Sequence, residues 1–523
     1  MQTEATSLSQ EQTRSQMALL TALRRAAYYL LLTLVFSTAY TQSPLFTSNQ
    51  NQYFLHGLAH AGYGYLHEDW LANTLDPTPV FSFLVEITYR IFQSPAVFLL
   101  IYALLLGLYV MAVIEIAAHV FDVRRTKLRF LVFLALINLL HSAGLRFALS
   151  RLLGANFTYL FEDGVADQRL LGTVLQPSAF GVLLVVSIWM FLKSRPYLAV
   201  LLAVLAATIH PTYLLSAAAL TAAYMLTIYL DTREIRTPLF TGLLALALVS
   251  PILYYVYGNF GSTPPETTAQ AREILVHFRI PHHALISWWF DITAVFKIIL
   301  ITLALLAVRR KRIFTVLLVP AVIAAGLTLL QAALQDNNLA IIFPWRISVF
   351  LVPLSTVLLT GCLVQTVFER WPERINRCSS MLQAAALALI GLAVLVGGVR
   401  LVLDFERKGR EPENALGAYV ASHRQPGEVY LIPVKMQDFR LESGAPAYVD
   451  FKAIPYRDAD VLEWRRRIEL ADSFYLQPDC SRAAAFRPEG ITHIVFPAEM
   501  GDLQCDGLRE VYRDPAYTLY LFE

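Results

Sequence analysis

The chain has 523 residues, of which 56% are hydrophobic and 16% charged, and its mean hydropathy is +0.51. Soluble globular proteins are about half apolar and about a quarter charged, so this composition excludes an ordinary soluble protein and indicates an integral membrane protein. The formal net charge of +2 argues against a nucleic-acid partner. The four cysteines are not clustered, and no nucleotide-binding or metal-binding motif appears.

The polar start of the chain predicts a disordered cytoplasmic tail over residues 1–16. The apolar run that follows lacks a small-residue cleavage site, so we interpret it as a retained transmembrane helix. Apolar runs of roughly 20 residues predict a transmembrane domain over 17–404 with about eleven helices. They fall near 22–41, 95–118, 128–143, 178–193, 196–210, 212–230, 238–256, 290–308, 313–333, 346–368 and 380–403.

Basic clusters between these runs predict the orientation of the chain, because short loops rich in Lys and Arg stay in the cytoplasm. With eleven helices, every such cluster falls on one side, together with the N-terminus. The outward segments are then 42–94, 144–177, 257–289 and everything after 404. The compact loops and the lack of organelle signals favour the inner membrane of a bacterium.

The segment 405–523 has a soluble composition and predicts a small extracytoplasmic α/β domain with a partly parallel sheet. Residues 412–423 have helical spacing, and EVYLIPV, ITHIVFPA and TLYLFE are strand-like. Cys480 and Cys505 either form a disulfide, if the compartment is oxidising, or are unrelated thiols. The basic and aromatic composition of the segment 439–467 predicts a solvated surface; the alternative is that the segment binds an anionic acceptor. A protein partner at this domain is a further possibility.

Two acidic pairs lie in the outward segments. Glu68 and Asp69 follow His67 in HEDW, and Glu162 and Asp163 lie in YLFEDGVADQR. Carboxylates at a membrane surface can bind a divalent cation against phosphate oxygens, or act as a general base towards a hydroxyl. The alternative is a hydrated acidic loop or a helix start that favours negative charge.

An acidic motif in the first outward loop, a second in the next long one, and an outward C-terminal domain resemble the GT-C superfamily of integral-membrane glycosyltransferases. The resemblance implies a polyprenyl-phosphate sugar donor in the bilayer and an acceptor on the outer face. It implies Asp69 or Glu68 as the base or metal-positioning residue, with Asp69 favoured, and Glu162 or Asp163 as its assistant. A Mg²⁺ or Mn²⁺ ion would then bind near Asp69 and Glu162. The chain is also similar to uncharacterised bacterial membrane proteins with the same loop style.

Basic side chains in the outward segments suit the phosphate of such a donor. Arg279, His282 and His283 lie in EILVHFRIPHH, and Arg346 lies in FPWRIS at the outer end of the tenth predicted helix. Arginine offers a planar fork of donors to phosphate, and His67 belongs to the same candidate set. Interfacial snorkelling is the alternative for Arg346. The dipeptide at 210–211, His-Pro, predicts a structural turn.

Two other classes of protein remain open from the sequence. An O-antigen ligase or polymerase would depend on Arg279, His282 and Arg346, and its acidic pairs would be replaceable. A transporter or a non-enzymatic membrane subunit would need neither set, although transporters usually carry charges at the bilayer midplane and internal repeats. The sequence does not reveal the sugar or the acceptor.

Overall fold

The computed structural model describes residues 2–261 and 263–523, and most of them lie in α-helices. Within that part of the chain, seven helices are long and apolar enough to cross a membrane. Their apolar stretches are Leu19–Tyr40, Val97–Phe121, Pro211–Thr232, Arg236–Phe260, Ile313–Leu334, Asn337–Arg370 and Ser379–Lys408. Lys127–Leu140 and Ala143–Leu153 form a pair bent by 50° that makes an eighth span when counted as one.

Three shorter apolar helices, Pro177–Leu192, Pro196–Ile209 and Ile292–Val308, complete the bundle. With the seven long helices and the bent pair they make eleven segments, and each coincides with one predicted from the sequence. The prediction of an α-helical polytopic membrane protein is therefore confirmed. Many leucines on the outer surfaces of the helices are exposed, as expected of side chains that face lipid.

The first helix begins earlier than the composition predicts. It runs over Gln2–Tyr40 without a break, so the predicted disordered tail lies within it from residue 2 onward. Alanine, leucine, glutamate, glutamine and arginine are good helix formers, and an adjoining spanning helix provides the nucleus on which they can propagate. Met1 lies outside the described residues.

Short helices occupy the outward segments between the spanning ones. They are Gln50–Tyr53, Leu55–His60, Pro79–Phe92, Pro265–Glu273, the π-helical turn Ile274–Arg279, Pro281–Ala284 and Ile286–Trp289. The apolar stretch Asn337–Arg370 begins with two short helices, Asn337–Ile341 and Pro344–Ile347, and continues as the long helix Ser348–Arg370. The longest helix of the outward segments, Pro79–Phe92, begins with its proline in the first turn, where the missing N–H costs nothing. It buries Phe81 and Val85 and leaves Ile91 and Phe92 exposed.

The C-terminal domain contains a four-stranded sheet and four helices. The strands are β1 (Tyr430–Leu431), β2 (His493–Pro497), β3 (Leu508–Arg513) and β4 (Tyr517–Phe522), in the order β1-β2-β4-β3. The β1 and β2 strands are parallel, and β4 is antiparallel to both of its neighbours, so the predicted partly parallel sheet is confirmed. The sequence did not predict β3. The helices are Glu413–His423, Phe439–Ser443, Asp458–Leu476 and Cys480–Ala484.

The structure contains a disulfide between Cys480 and Cys505, the first of the two alternatives that the sequence left open. It ties the helix Cys480–Ala484 to the loop before β3 and closes a segment with a sequence separation of 25. Trp464, fully buried on the helix Asp458–Leu476, lies in the core of this domain.

The C-terminal domain rests directly on the outward segments. The backbone N–H of Tyr65 donates to the carbonyl of Gly444 at 2.8 Å, and the Arg467 guanidinium lies 4.1 Å from the centre of the Trp70 ring. Gly64 has a positive φ of 57° and lies so close to Gly444 that a Cβ there would collide with the Gly444 carbonyl. The prediction of a solvated surface over 439–467 is therefore wrong for the first part of that segment, which is buried against the membrane domain.

Candidate functional site

A cavity of about 320 Å³ lies where the three outward segments, the ends of the spanning helices and the C-terminal domain meet. Its volume is at the lower end of the range of about 300–1,000 Å³ that is usual for small-molecule sites. Four cationic side chains and three histidines line it, and one carboxylate does. These residues are Arg169, Arg279, Arg346, Lys452, His210, His282, His283 and Asp167. We call it the outer cavity.

All four residues of the predicted phosphate-binding set in the later segments line the outer cavity: Arg279, His282, His283 and Arg346. They come from two stretches separated by more than sixty positions in the sequence. The structure therefore brings together the cations that the sequence singled out. His67, the fifth member of the set, does not line the cavity; it is exposed and lies 3.7 Å from Glu68.

Arg346 lies in the short helix Pro344–Ile347, directly before the spanning helix that begins at Ser348. Its guanidinium lies 2.6 Å from Nε2 of His210, and it donates to Gln168 at 2.5 Å and to Thr212 at 3.1 Å. Three of its five N–H groups are used in these contacts, which leaves donors for a ligand. His210, predicted as part of a structural turn, thus also fixes an arginine in the cavity.

Arg279 enters the cavity from the end of the π-helical turn. It donates to the carbonyl of Lys452 at 2.6 Å and lies 5.1 Å from the centre of the Phe451 ring. Its Nε–H is buried without a hydrogen-bond acceptor, and burial lowers the pKa of its guanidinium. The three terminal N–H groups that do not bind Lys452 remain as donors for an anion.

Lys452 comes from the C-terminal domain and completes the cationic wall. Burial, and then the nearby charge of Arg279, lower the pKa of its ammonium to about 8. Among the described residues, no carboxylate pairs with Arg279, Arg346 or Lys452. All three side chains are half-buried. Charges partly removed from water are normally paired, so these three cations in one cavity indicate a site for an anion.

Of the two adjacent histidines, His282 is exposed and His283 is half-buried. Nδ1 of His283 lies 2.8 Å from the carbonyl oxygen of Ala166, so Nδ1 carries the proton and Nε2 is an acceptor. Burial, followed by the neighbouring His282, lowers the pKa of His283 to about 3, which keeps this imidazole neutral. Burial also lowers the pKa of His282.

Asp167 is the one carboxylate among the described residues that line the outer cavity. It is exposed, while Ala166 and Gln168 on either side are buried. No hydrogen bond or ion pair engages its carboxylate within the part of the chain that the structure describes. The backbone at Ala166 and Asp167 is left-handed, with φ of 58° and 51°. Two successive non-glycine residues in this region are strained, and such strain is common at functional sites.

The loop that carries Asp167 is held from several sides. Ser348 Oγ accepts the N–H of Val165 at 2.7 Å, and Lys297 donates to the carbonyl of Gly164 at 2.9 Å. A Cβ at Gly164 would collide with the Ser348 hydroxyl, so the close approach requires glycine there. These bonds, together with the Arg346–Gln168 contact, keep the strained turn in place.

The second acidic pair, Glu162 and Asp163, does not line the outer cavity; both side chains are buried and paired with arginines. Asp163 is buried and accepts from Arg169 at 2.8 Å, and burial raises its pKa to about 7. Glu162 is buried beside Arg146, 3.1 Å away. Asp163 therefore positions a cavity-lining arginine, while Glu162 holds an arginine that does not line the cavity. The predicted assisting role of this pair stays a prediction.

The first acidic pair, Glu68 and Asp69, lies outside the outer cavity, against the C-terminal domain. Asp69 is fully buried: one oxygen accepts the N–H of Leu71 at 2.8 Å, and the other accepts from Arg440 at 2.6 Å and from the N–H of Ala447 at 2.8 Å. Glu68 accepts the N–H of Gly427 at 2.7 Å. Neither residue lines the outer cavity. The expected base at Asp69 or Glu68 finds no support in this arrangement, because both side chains bind the C-terminal domain.

The two carboxylates expected to bind Mg²⁺ or Mn²⁺, Asp69 and Glu162, both contact arginines. Asp69 has no free oxygen, and Glu162 is paired with Arg146. Among the described residues, one group of three acids is close enough to hold an ion: Glu411, Asp438 and Glu442. The ammonium of Lys408 already contacts this group. Metal ligation by Asp69 and Glu162 stays a prediction.

Three charged residues that line the outer cavity, Asp167, Arg169 and Lys452, were not predicted from the sequence. Asp167 and Arg169 lie only a few residues after the acidic pair in YLFEDGVADQR, so the same motif contained them. Lys452 lies in a segment interpreted as solvated, and no pattern in its neighbourhood indicates that it reaches the membrane domain.

Comparison with known proteins adds two matches. Residues 411–471 match a family described as a domain of unknown function, DUF6798. No curated protein matches the chain. Among solved structures, the fold is similar to that of ArnT from Cupriavidus metallidurans bound to undecaprenyl phosphate, with a TM-score of 0.45 and 12% identity over 95% of this chain and 97% of that one. At this identity and TM-score, the likeness transfers no residue role.

Proposed function

We propose that the protein is a membrane glycosyltransferase that moves a sugar from a polyprenyl-phosphate carrier to an acceptor hydroxyl on the outer face of the membrane. The observation that carries this proposal is that one cavity holds three cations and one carboxylate, none of which has an ion-pair partner among the described residues. The cations suit a phosphate, and the carboxylate suits the proton of an incoming hydroxyl.

The position of the cavity agrees with a carrier held in the bilayer. Arg346 lies at the end of a spanning helix, and Lys452 lies in the C-terminal domain. A carrier would keep its chain among the helices and its phosphate between these two cations. Nucleotide sugars are not available on the outer face, so a lipid carrier would supply the activated sugar.

In the proposed reaction Asp167 takes the proton of the acceptor hydroxyl while its oxygen forms a bond to the anomeric carbon. The bond from that carbon to the phosphate oxygen breaks, and the negative charge that develops on the phosphate is stabilised by Arg279, Arg346 and Lys452. With one carboxylate in the cavity the displacement is direct, so the configuration at the anomeric carbon inverts. The base in this proposal is Asp167 and not a first-loop acid.

The test separates binding from transfer with three variants in lipid vesicles. The substrates are polyprenyl-phosphate-linked radiolabelled hexoses, with a membrane extract as the source of acceptors. Arg346→Gln should lose carrier binding. Asp167→Asn should bind the carrier and lose transfer by about 10²–10⁴-fold, the usual contribution of a general base. Glu266→Gln, which removes an exposed outer-face acid away from the cavity, should resemble the wild type.

An O-antigen ligase or polymerase is the second candidate, since its expected residues Arg279, His282 and Arg346 line the same cavity. The neutral His283, with Nε2 as an acceptor, would then take the proton. In that case Asp167→Asn transfers at the wild-type rate and His283→Gln does not. A wild-type protein that binds no polyprenyl phosphate would contradict both candidates.

A further inference from the structure

A second cavity, of about 750 Å³, lies at the face that the basic loops predict to be cytoplasmic. We call it the inner cavity. Its walls come from the first helix, Gln2–Tyr40, from Val97–Phe121 and Lys127–Leu140, and from the end of Val182–Leu192. Nothing in the proposed transfer reaction uses it.

The rim of the inner cavity is cationic. Arg25, Lys127 and Lys193 are exposed there, and no carboxylate among the described residues pairs with any of them. Arg124 is the fourth cation, and its charge is matched by Glu115. The cavity therefore carries a net excess of three positive charges before any ligand is bound.

Its wall is apolar and aromatic. Tyr28, Met111, Phe130 and Trp189 line it, and the Arg124 guanidinium lies 5.5 Å from the centre of the Phe130 ring.

We propose that the inner cavity binds the headgroup of an anionic phospholipid. The phosphate would lie among Arg25, Lys127 and Lys193, and the acyl chains would lie along the aromatic wall. Basic pockets between spanning helices on the cytoplasmic side suit such lipids. The positive-inside rule alone explains basic loops, but it does not require an apolar and aromatic cavity between three basic side chains that lack a carboxylate partner among the described residues.

The test uses the full chain in detergent and measures the affinity for phosphatidylglycerol by native mass spectrometry, with phosphatidylcholine as the neutral lipid. The combined variant Arg25→Gln, Lys127→Gln and Lys193→Gln should weaken phosphatidylglycerol binding about tenfold or more, since each basic group near an anionic lipid contributes. The matched control, Arg309→Gln, Arg310→Gln and Lys311→Gln, removes the same charge from another basic loop of that face that does not line the cavity. It should change the affinity less than about twofold.

Lys193→Gln is a single change at the end of the helix Val182–Leu192. It should weaken binding about fivefold, the contribution of one basic group near an anionic lipid, even if the triple variant fails to fold. Equal losses in the triple variant and its control would overturn the proposal, as would unchanged binding by Lys193→Gln. Protection against heat by inorganic phosphate equal to that by phosphatidylglycerol would also overturn it, because the site would then recognise the ion and not the lipid.

Discussion

The Nε–H of Arg440 donates to a carboxylate oxygen of Asp69 at 2.6 Å, across 371 positions of the chain. Arg440 also pairs with Asp450, and all three side chains are buried. Asp450 in turn accepts the backbone N–H of Lys452 at 2.7 Å. The acidic residue of the first outward loop thus helps to hold the segment that places Lys452 in the outer cavity.

Asp69, Arg440 and Asp450 form a buried charged triad. Removal of its cation, Arg440, should destabilise the protein more than any other change to the triad. Arg440→Gln leaves two buried carboxylates without a counterion, so we expect a loss of about 3–5 kcal/mol in stability. Asp69→Asn leaves the Arg440–Asp450 pair intact and should cost less. Thermal unfolding followed by intrinsic fluorescence measures both. Glu68→Gln, at a half-exposed contact, is the control, and equal melting temperatures for all three variants would contradict a structural role for the triad.

Lys452 should make carrier binding depend on pH. Its ammonium, with a pKa of about 8 in the free protein, is charged below that pH and neutral above it. Arg279, Asp450 and Arg169 are its charged neighbours, and the arginines keep their charge at neutral and mildly alkaline pH. Affinity for a polyprenyl phosphodiester should therefore fall about tenfold from pH 7 to pH 9. Lys452→Arg should flatten this profile; an unchanged slope in that variant would exclude Lys452 as the titrating group.

The disulfide should stabilise the C-terminal domain. A cross-link with a sequence separation of 25 removes chain entropy from the unfolded state, and its loss should cost about 3 kcal/mol. We expect Cys480→Ser together with Cys505→Ser to lower the melting temperature, and reduction of the wild type to lower it equally. If reduction has no effect on the wild type, the bond does not contribute in this way.

The free cysteine Cys378 offers a test of orientation. It is exposed between the helices Pro372–Arg377 and Ser379–Lys408, in a basic loop predicted to be cytoplasmic. In intact cells a membrane-impermeant maleimide should leave it unmodified, and it should react once the membrane is opened. Ser473→Cys, exposed on the C-terminal domain, should react in both conditions. The reverse pattern would invert the predicted topology.

The spanning helices and the cationic set could be predicted because their signals are local. An apolar run of the right length forms a membrane helix wherever it occurs, and Arg279, His282 and Arg346 lie in segments whose side of the membrane follows from counting helices. The proposed base, Asp167, could not be predicted in the same way. Asp69 and Asp167 are both acids in loops predicted to face outward. What distinguishes them is that Arg440, far along the chain, pairs with Asp69, whereas no cation among the described residues pairs with Asp167.

The central claim, that the outer cavity binds the phosphate of a lipid carrier, is tested most directly by the position of that phosphate. We would determine the structure of the protein in lipid nanodiscs saturated with undecaprenyl phosphate. We expect phosphate oxygens within hydrogen-bond distance, about 3 Å, of the guanidinium groups of Arg279 and Arg346, with the carboxylate of Asp167 facing the same space. A carrier bound elsewhere, with the outer cavity free of phosphate, would contradict it.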